Sequence, residues 1–211
     1  MSPLTLPSPR FLKSPAAVIA TVALAFISPF AAVSEGSAAE TAPVQSIEFL
    51  GETYSLAWCS DPVPNYSKAE YLPEGEELPY YTNMILVERV GGIGVTDAVR
   101  AQVQFLQDYK KSKEAAGGAK ILNLIENPST GEVLLLFVMS APDEEHEVIW
   151  EWNAYRYSPV QTDDGQEDVR LFGYSRRHYG NDESVYDFLE EIDVDNPYSE
   201  AVNAVATAQV P

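Results

Sequence analysis

The sequence predicts an α+β domain: an antiparallel sheet of about six to seven strands with two packed helices, preceded by a signal peptide and followed by a flexible tail. Three observations predict it. Several short runs alternate apolar and polar residues with period two and are bounded by turn residues. Two runs, from Val95 and from Val185, place apolar residues at helical spacing. After the first of these, four strand-like runs follow with no helix between them, which is the pattern of an antiparallel meander rather than a βαβ fold.

Residues 1–39 read as a cleaved secretory signal. Arg10 and Lys13 form the basic start, Ala16 to Ile27 is a twelve-residue apolar stretch, Pro29 ends it, and small residues from Gly36 to Ala39 suit cleavage. The competing reading is an uncleaved anchor, since 18 uncharged residues run from Ala16 to Val33, at the lower limit for a span. Leu56-Ala-Trp-Cys59 imitates a lipid-attachment box but puts Trp58 where a small residue is needed, and no apolar leader precedes it. Residues 40–46 then form a linker, 47–193 the domain and 194–211 the tail.

Within the domain, Ile47 to Cys59 reads as two short strands around Gly51-Glu52. Phe49, Tyr54, Leu56 and Trp58 are its core candidates, with Cys59 half-buried. Ser60 to Pro79 breaks every pattern. Pro62, Pro64, Pro73 and Pro79 interrupt it, Glu70, Glu74, Glu76 and Glu77 charge it, and it reads as a long acidic loop. Tyr80 to Val90 is a strand, and Gly91 to Gly94 leads into a helix over Val95–Lys113, with Thr96 as N-cap and lysines at its C-terminal end. Ile121–Glu126 and Glu132–Ser140 flank a turn, and the second, apolar on both faces, reads as the central strand. Glu147–Ser158 carries Trp150 and Trp152 on one face, and Val169–Tyr179 returns. Asn181 or Asp182 caps a last helix with the stripe Val185, Phe188, Leu189 and Ile192.

This element order, with Tyr54-Ser-Leu56, the helix from Val95 and the run Leu171-Phe-Gly-Tyr174 into Val185–Ile192, resembles the PsbP-like fold over about residues 46–192. The resemblance implies an α–β–α sandwich in a secreted or lumenal accessory or binding protein. It implies no shared catalytic residue, and fold analogy assigns no site.

Composition narrows the function. The chain has 32 acidic and 13 basic residues, a formal net charge of −19 and a pI near 4.3. Removing residues 1–39 takes away two bases and one acid, so the mature chain is more acidic still. A phosphate-binding surface needs the opposite sign, which argues against nucleic acid. One cysteine excludes an intramolecular disulfide framework and a cysteine-rich metal site.

Motifs for catalysis are weak. Gly91-Gly-Ile-Gly94 lies where a phosphate loop would, but Asp97 replaces the third glycine and would repel a phosphate. His146 and His178 lack a nucleophile elbow or zinc-ligand spacing. The acidic turns at Asp163–Asp168 and Asp193–Asn196 do not fit an EF-hand loop and read as solvated acids. No catalytic residue, cofactor or metal is assigned.

The expectation is therefore an exported periplasmic or secreted protein that acts by binding. Its candidate surface is the Tyr-, Pro- and Glu-rich loop with Tyr66, Tyr71, Glu74, Glu76, Glu77, Tyr80 and Tyr81, facing a basic protein partner. The alternative is a carrier of a small anion that uses Arg156, Tyr174, Arg176 and Arg177 on the sheet. A small acid–base hydrolase ranks third.

Overall fold

Strands that are apolar on both faces need cover on both faces, and this chain supplies it with helices. The computed structural model describes residues 43–63, 65–111, 117–162, 165–181, 183–192 and 198–209. The signal at 1–39 lies outside the described residues, as do Asp163, Asp164 and residues 193–197 of the acidic turns. The first meander comprises β1 (Ser46–Phe49), β2 (Glu52–Val63), β3 (Tyr66–Pro73) and β4 (Asn83–Val90). Helix α1 (Val95–Lys111) then carries the chain to the far edge. The second meander returns from there as β5 (Gly118–Asn127), β6 (Glu132–Asp143), β7 (Glu147–Gln161) and β8 (Glu167–Tyr179). Two helices close the chain, α2 (Ser184–Glu191) and α3 (Tyr198–Thr207). The fold is α+β, an eight-stranded antiparallel sheet in the order β1-β2-β3-β4-β8-β7-β6-β5 with three helices among the described residues.

Pairing of β4 with β8 unites the two meanders. Side-chain alternation then builds a core on each face. On the first face Ile85, Trp152, Ala154, Phe172 and Tyr174 pack under Phe188 and Ile192 at α2 and under Ala201 and Val205 of α3. Phe49 of β1 joins them, its ring 5.0 Å from that of Tyr174 and 5.7 Å from that of Phe172. Since β2, β3 and β4 separate β1 from β8 in the sheet, the β1–β2 hairpin must coil back over this face. Its turn uses Leu50 and Gly51 at positive φ, the two-residue geometry that suits the strand twist. On the second face Leu86, Leu135, Phe137, Met139 and Leu171 pack under Val95, Ala98, Val99, Leu106 and Tyr109 of α1. Each such large apolar side chain contributes about 1.5–3 kcal/mol by leaving water.

Several expectations need correction. The stretch read as a loop from Ser60 to Pro79 is mostly paired strand: β2 runs on to Val63 and β3 supplies the eighth strand, so that only the segment from Glu74 to Thr82 connects. Trp58 is 44% exposed rather than core, and Cys59 is exposed. For Trp58 a register shift between Leu56 and Trp58 is the cause, because one extra residue moves that side chain to the other face. Strand β6 is buried on both faces, as its composition demands, but lies next to the edge strand β5 rather than at the centre. Helix α1 starts from Gly94, whose carbonyl accepts from the N–H of Asp97 and of Ala98, so Thr96 sits inside the first turn. The N-cap of α2 is Glu183, with no side-chain cap bond.

The presumed tail contains α3. Ala201 and Val205 are buried on the sheet, and Arg156 of β7 donates to the carbonyls of Ala206 (2.8 Å) and Ala208 (2.5 Å) at the end of the helix. Those carbonyls have no partner within the helix, and a cation suits the negative end of its dipole. Arg156→Ala is therefore expected to cost about 2 kcal/mol in chemical denaturation and to speed amide exchange in residues 198–209 before the rest of the sheet. Unchanged exchange there would mean that apolar packing alone holds α3.

Candidate functional site

The segment between β3 and β4 is docked, not loose. Glu76 folds inward, accepting from the N–H of Thr82 (2.9 Å) and of Asn83 (3.2 Å) and from the Thr82 hydroxyl. Tyr81 is buried with its hydroxyl 3.0 Å from Glu151 Oε2, to which it donates. The same carboxylate oxygen accepts from Arg177 Nε at 2.5 Å. Arg177 also donates to the Pro79 carbonyl at 2.9 Å, and its guanidinium lies 3.9 Å over the Tyr81 ring. Tyr179 completes the knot: its hydroxyl donates to the Tyr81 carbonyl (2.6 Å) and accepts from the Tyr81 N–H (2.8 Å). Glu151 and Arg177 are direct cross-strand partners on β7 and β8, so sheet register alone brings the charges together. Burial works to lower the Arg177 pKa, but Glu151 and Tyr81 outweigh it and hold the guanidinium charged.

The expected binding residues thus divide. Tyr71 and Tyr81 are core, Tyr66 and Tyr80 are half-buried, and Glu74 and Glu77 are exposed. Tyr174 is buried against Phe49, Tyr54 and Trp152, and its hydroxyl donates to Asn83. Arg156 and Tyr174 sit on the α3 face and Arg177 on the α1 face, so the sheet does not gather these arginines into one anion cradle. Arg156 and Arg177 are buried in contacts of their own, and Arg176 is half-buried on the face of Tyr174.

The histidines serve as struts. His146 Nδ1 lies 2.9 Å from Asp143 Oδ2, and its ring packs against Tyr80 and Tyr179 at 4.9 and 4.7 Å. Burial pushes the Asp143 pKa up, but the His146 ring and the backbone N–H groups of His146 and Glu145 bring it below the usual range. His178 Nε2 lies 3.2 Å from Ser184 Oγ while its ring stacks on Phe188. The described contacts place no acid on the other imidazole nitrogen, the third group that an activated serine uses. Acids fill the glycine loop. Asp168 accepts from the Gly92 N–H (3.0 Å) and from Arg89 (2.7 Å), and Glu167 approaches Gly94. Among the described residues no group of three or more His, Cys, Asp and Glu side chains is placed to hold a metal, and no helix is long and apolar enough to cross a membrane.

A second polar cluster was hidden from the sequence. On the α1 face, β3 presents Tyr66, Lys68 and Glu70, β4 presents Glu88, and β7 presents Tyr155 and Tyr157. Lys68 stands directly across from Glu88 and pairs with Glu70 at 2.7 Å. Gly173 lets Tyr155 lie across β8 toward Leu86, since a Cβ there would meet the ring at 2.9 Å. Glu88 is 1% exposed, and neither of its carboxylate oxygens has a hydrogen-bond partner among the described residues. The Tyr157 hydroxyl is likewise buried and unpartnered. Burial raises the Glu88 pKa to about 7, opposed by the approach of the Tyr66 hydroxyl, which falls short of a well-formed hydrogen bond, and by the charge of Lys68, with Glu70 adding to the rise. Burial also raises the pKa of Tyr66, Tyr155 and Tyr157, and Glu88 adds to each.

A protein-family model matches residues 41–208, which span all the described elements. The chain belongs to this family. The match itself does not point to PsbP-like proteins. No curated protein matches the chain.

Two outcomes follow from the buried charges. Arg177→Ala leaves Glu151 in the core without its cation and is expected to cost about 3–5 kcal/mol. Adding Glu151→Gln to it recovers a part of that loss, measured by a double-mutant cycle in urea. Glu88 is more basic folded than unfolded, so its stabilising share is complete below pH 4.5 and is lost as pH rises through 7. Stability should fall by about 3 kcal/mol across that window from this group, and Glu88→Gln should flatten the profile. An identical profile in the variant would refute the assignment.

Proposed function

We propose that this is an exported envelope protein that acts by binding a basic protein partner. The observation that supports the reading is how the two charge signs are distributed. From Pro43 to Val90, the β1–β4 half of the sheet, the bases among the described residues are Lys68 and Arg89. Lys68 is buried against Glu70, and Arg89 is held by Asp168. The same half exposes Glu48, Glu52, Asp61, Glu74 and Glu77. Its few cations are tied up and most of its acids face water, so the surface carries one sign. Such a surface attracts a basic partner over about a Debye length, roughly 8–10 Å, and speeds its docking. Exposed Trp58 and the half-buried Tyr66 and Tyr80 add rigid aromatic contact area among those acids.

The leader-like residues 1–39 support export with cleavage, and the match that starts at residue 41 agrees with a folded portion beyond that leader. Helices on both faces of the sheet support the PsbP-like resemblance as an analogy of fold, which carries no function.

The test uses the full chain with a C-terminal tag, captured from its own cells. Mass spectrometry is expected to find a mature form that begins near residue 40 and one stoichiometric basic partner released by high salt. Glu74→Lys with Glu77→Lys should slow association at low salt by about tenfold and leave urea stability unchanged. A partner retained equally by the charge-reversed protein would remove this surface from the reading. An intact N-terminus would remove the cleavage.

A further inference from the structure

Three features hold chemistry that the docking reading leaves unused: the Glu88 cluster, which shares only Tyr66 with that surface, the Ser184–His178 contact and the exposed apolar pair Leu124 and Ile125 on the edge strand β5. The serine contact lacks an acid, and nothing seats a partner on the edge. The Glu88 cluster carries an argument, because its unsatisfied atoms describe what would satisfy them.

We propose that the Glu88 cluster is a binding site for an ammonium group, presented by a small primary amine or by a lysine side chain. Charge is the first reason. The cluster holds two carboxylates and one cation: the Lys68 ammonium lies 2.7 Å from Glu70 and stands directly across from Glu88, whose ionised form it also favours, so one cation serves two acids. One added positive charge balances the site, whereas an anion meets two acids. Hydrogen-bond geometry is the second. Glu88 Oε1, Glu88 Oε2 and the Tyr157 hydroxyl are buried without a well-formed hydrogen bond among the described residues, Tyr66 being the hydroxyl that approaches the carboxylate, and Glu88 acts electrostatically on Tyr157. A primary ammonium carries three N–H donors to meet three acceptors. Aromatic lining is the third. Tyr66, Tyr155 and Tyr157 all feel the charge of Glu88, and aromatic rings near a carboxylate favour a cation once water is excluded. Lys68 already shows the pattern inside the protein, paired with Glu70 and lying 5.8 Å from the centre of the exposed Trp58 ring. A metal ion is a poorer match, because two carboxylates and neutral phenols supply too few anionic oxygens.

The site shares Tyr66 with the docking surface but rests on the buried Glu88 and Tyr157, which the test variants change without touching the exposed acids, so the two readings fail separately. The test titrates the purified full chain, labelled at glutamate side-chain carboxyl carbons, with n-propylammonium chloride. Potassium chloride and tetramethylammonium chloride at equal ionic strength are the controls. Propylammonium should shift the Glu88 carboxyl resonance saturably and raise the melting temperature, more strongly at pH 8 than at pH 6, because Glu88 must be ionised. Glu88→Gln should weaken binding by about tenfold or more. Tyr157→Phe removes one unpartnered hydroxyl without charge change, so it keeps the fold and weakens binding by a smaller factor. No saturable shift in the wild-type protein, equal binding in both variants, or equal binding of tetramethylammonium, which has no N–H, would overturn the proposal. Competition by an N-acetyl-lysine amide would place the ammonium on a partner's side chain, and its failure beside propylammonium binding would place it on a free amine.

Discussion

The pairing of β4 with β8 is the constraint on which the rest depends. Each meander satisfies its own strands locally, but neither half makes both cores. Only when Asn83 to Val90 align with Val169 to Arg176 does each face become continuous enough to bury α1 on one side and α2 and α3 on the other. That register also sets Arg177 beside the incoming segment, where its N–H donates to the Thr82 carbonyl, and sets Tyr179 against Tyr81. These contacts join residues nearly a hundred positions apart, so their closure entropy must be met before they reward the fold. The polar knot at the end of β8 and the apolar pairing along it therefore reinforce one register.

The same sheet face treats buried charge in two ways. Arg177 and Glu151 are paired, hydrogen-bonded and stacked on an aromatic ring, which offsets much of their desolvation. Glu88 is compensated less: neither carboxylate oxygen has a well-formed hydrogen bond among the described residues, and the Lys68 across from it is already paired with Glu70. An unsatisfied buried carboxylate opposes folding when ionised, yet the surrounding structure over-determines its place through β3, β8 and the rings of β7. Structural economy explains the first arrangement. The second is a cost without a structural return, and that contrast is what marks it as a place for a ligand.

Fold class, the two main helices and the second meander were legible because their periodicities are long and unbroken. The first meander was not. Lys68 and Glu70 point inward on β3, so the strand carries charge on a buried face and reads as loop. A single extra residue before Trp58 reverses the alternation that would have put that ring in the core. Helix α3 is rich in alanine and short polar residues, and its docking depends on Arg156, fifty positions earlier. No local pattern encodes such a contact. The arginines illustrate the limit of strand parity. Alternation correctly separates Tyr174 from Arg177, but sequence does not say that Glu151 waits across the strand for one and the end of α3 for Arg156. Glu88 was passed over for the same reason, since its neighbours Lys68, Tyr155 and Tyr157 come from strands that sequence does not place side by side.

Acidity in this chain is a matter of placement more than of number. A protein with few bases would place them on the surface if solubility were the only demand, since Lys and Arg lose most on desolvation. Here Lys68, Arg156 and Arg177 are drawn inward, each to carboxylates or carbonyls that hold the architecture together. Every inward cation subtracts one positive charge from the surface and leaves the outward acids of the first meander unscreened by neighbours. The interior thus needs cations for the same reason that the exterior is short of them. A basic partner, or an ammonium at Glu88, would supply from outside the sign of charge that folding has taken in.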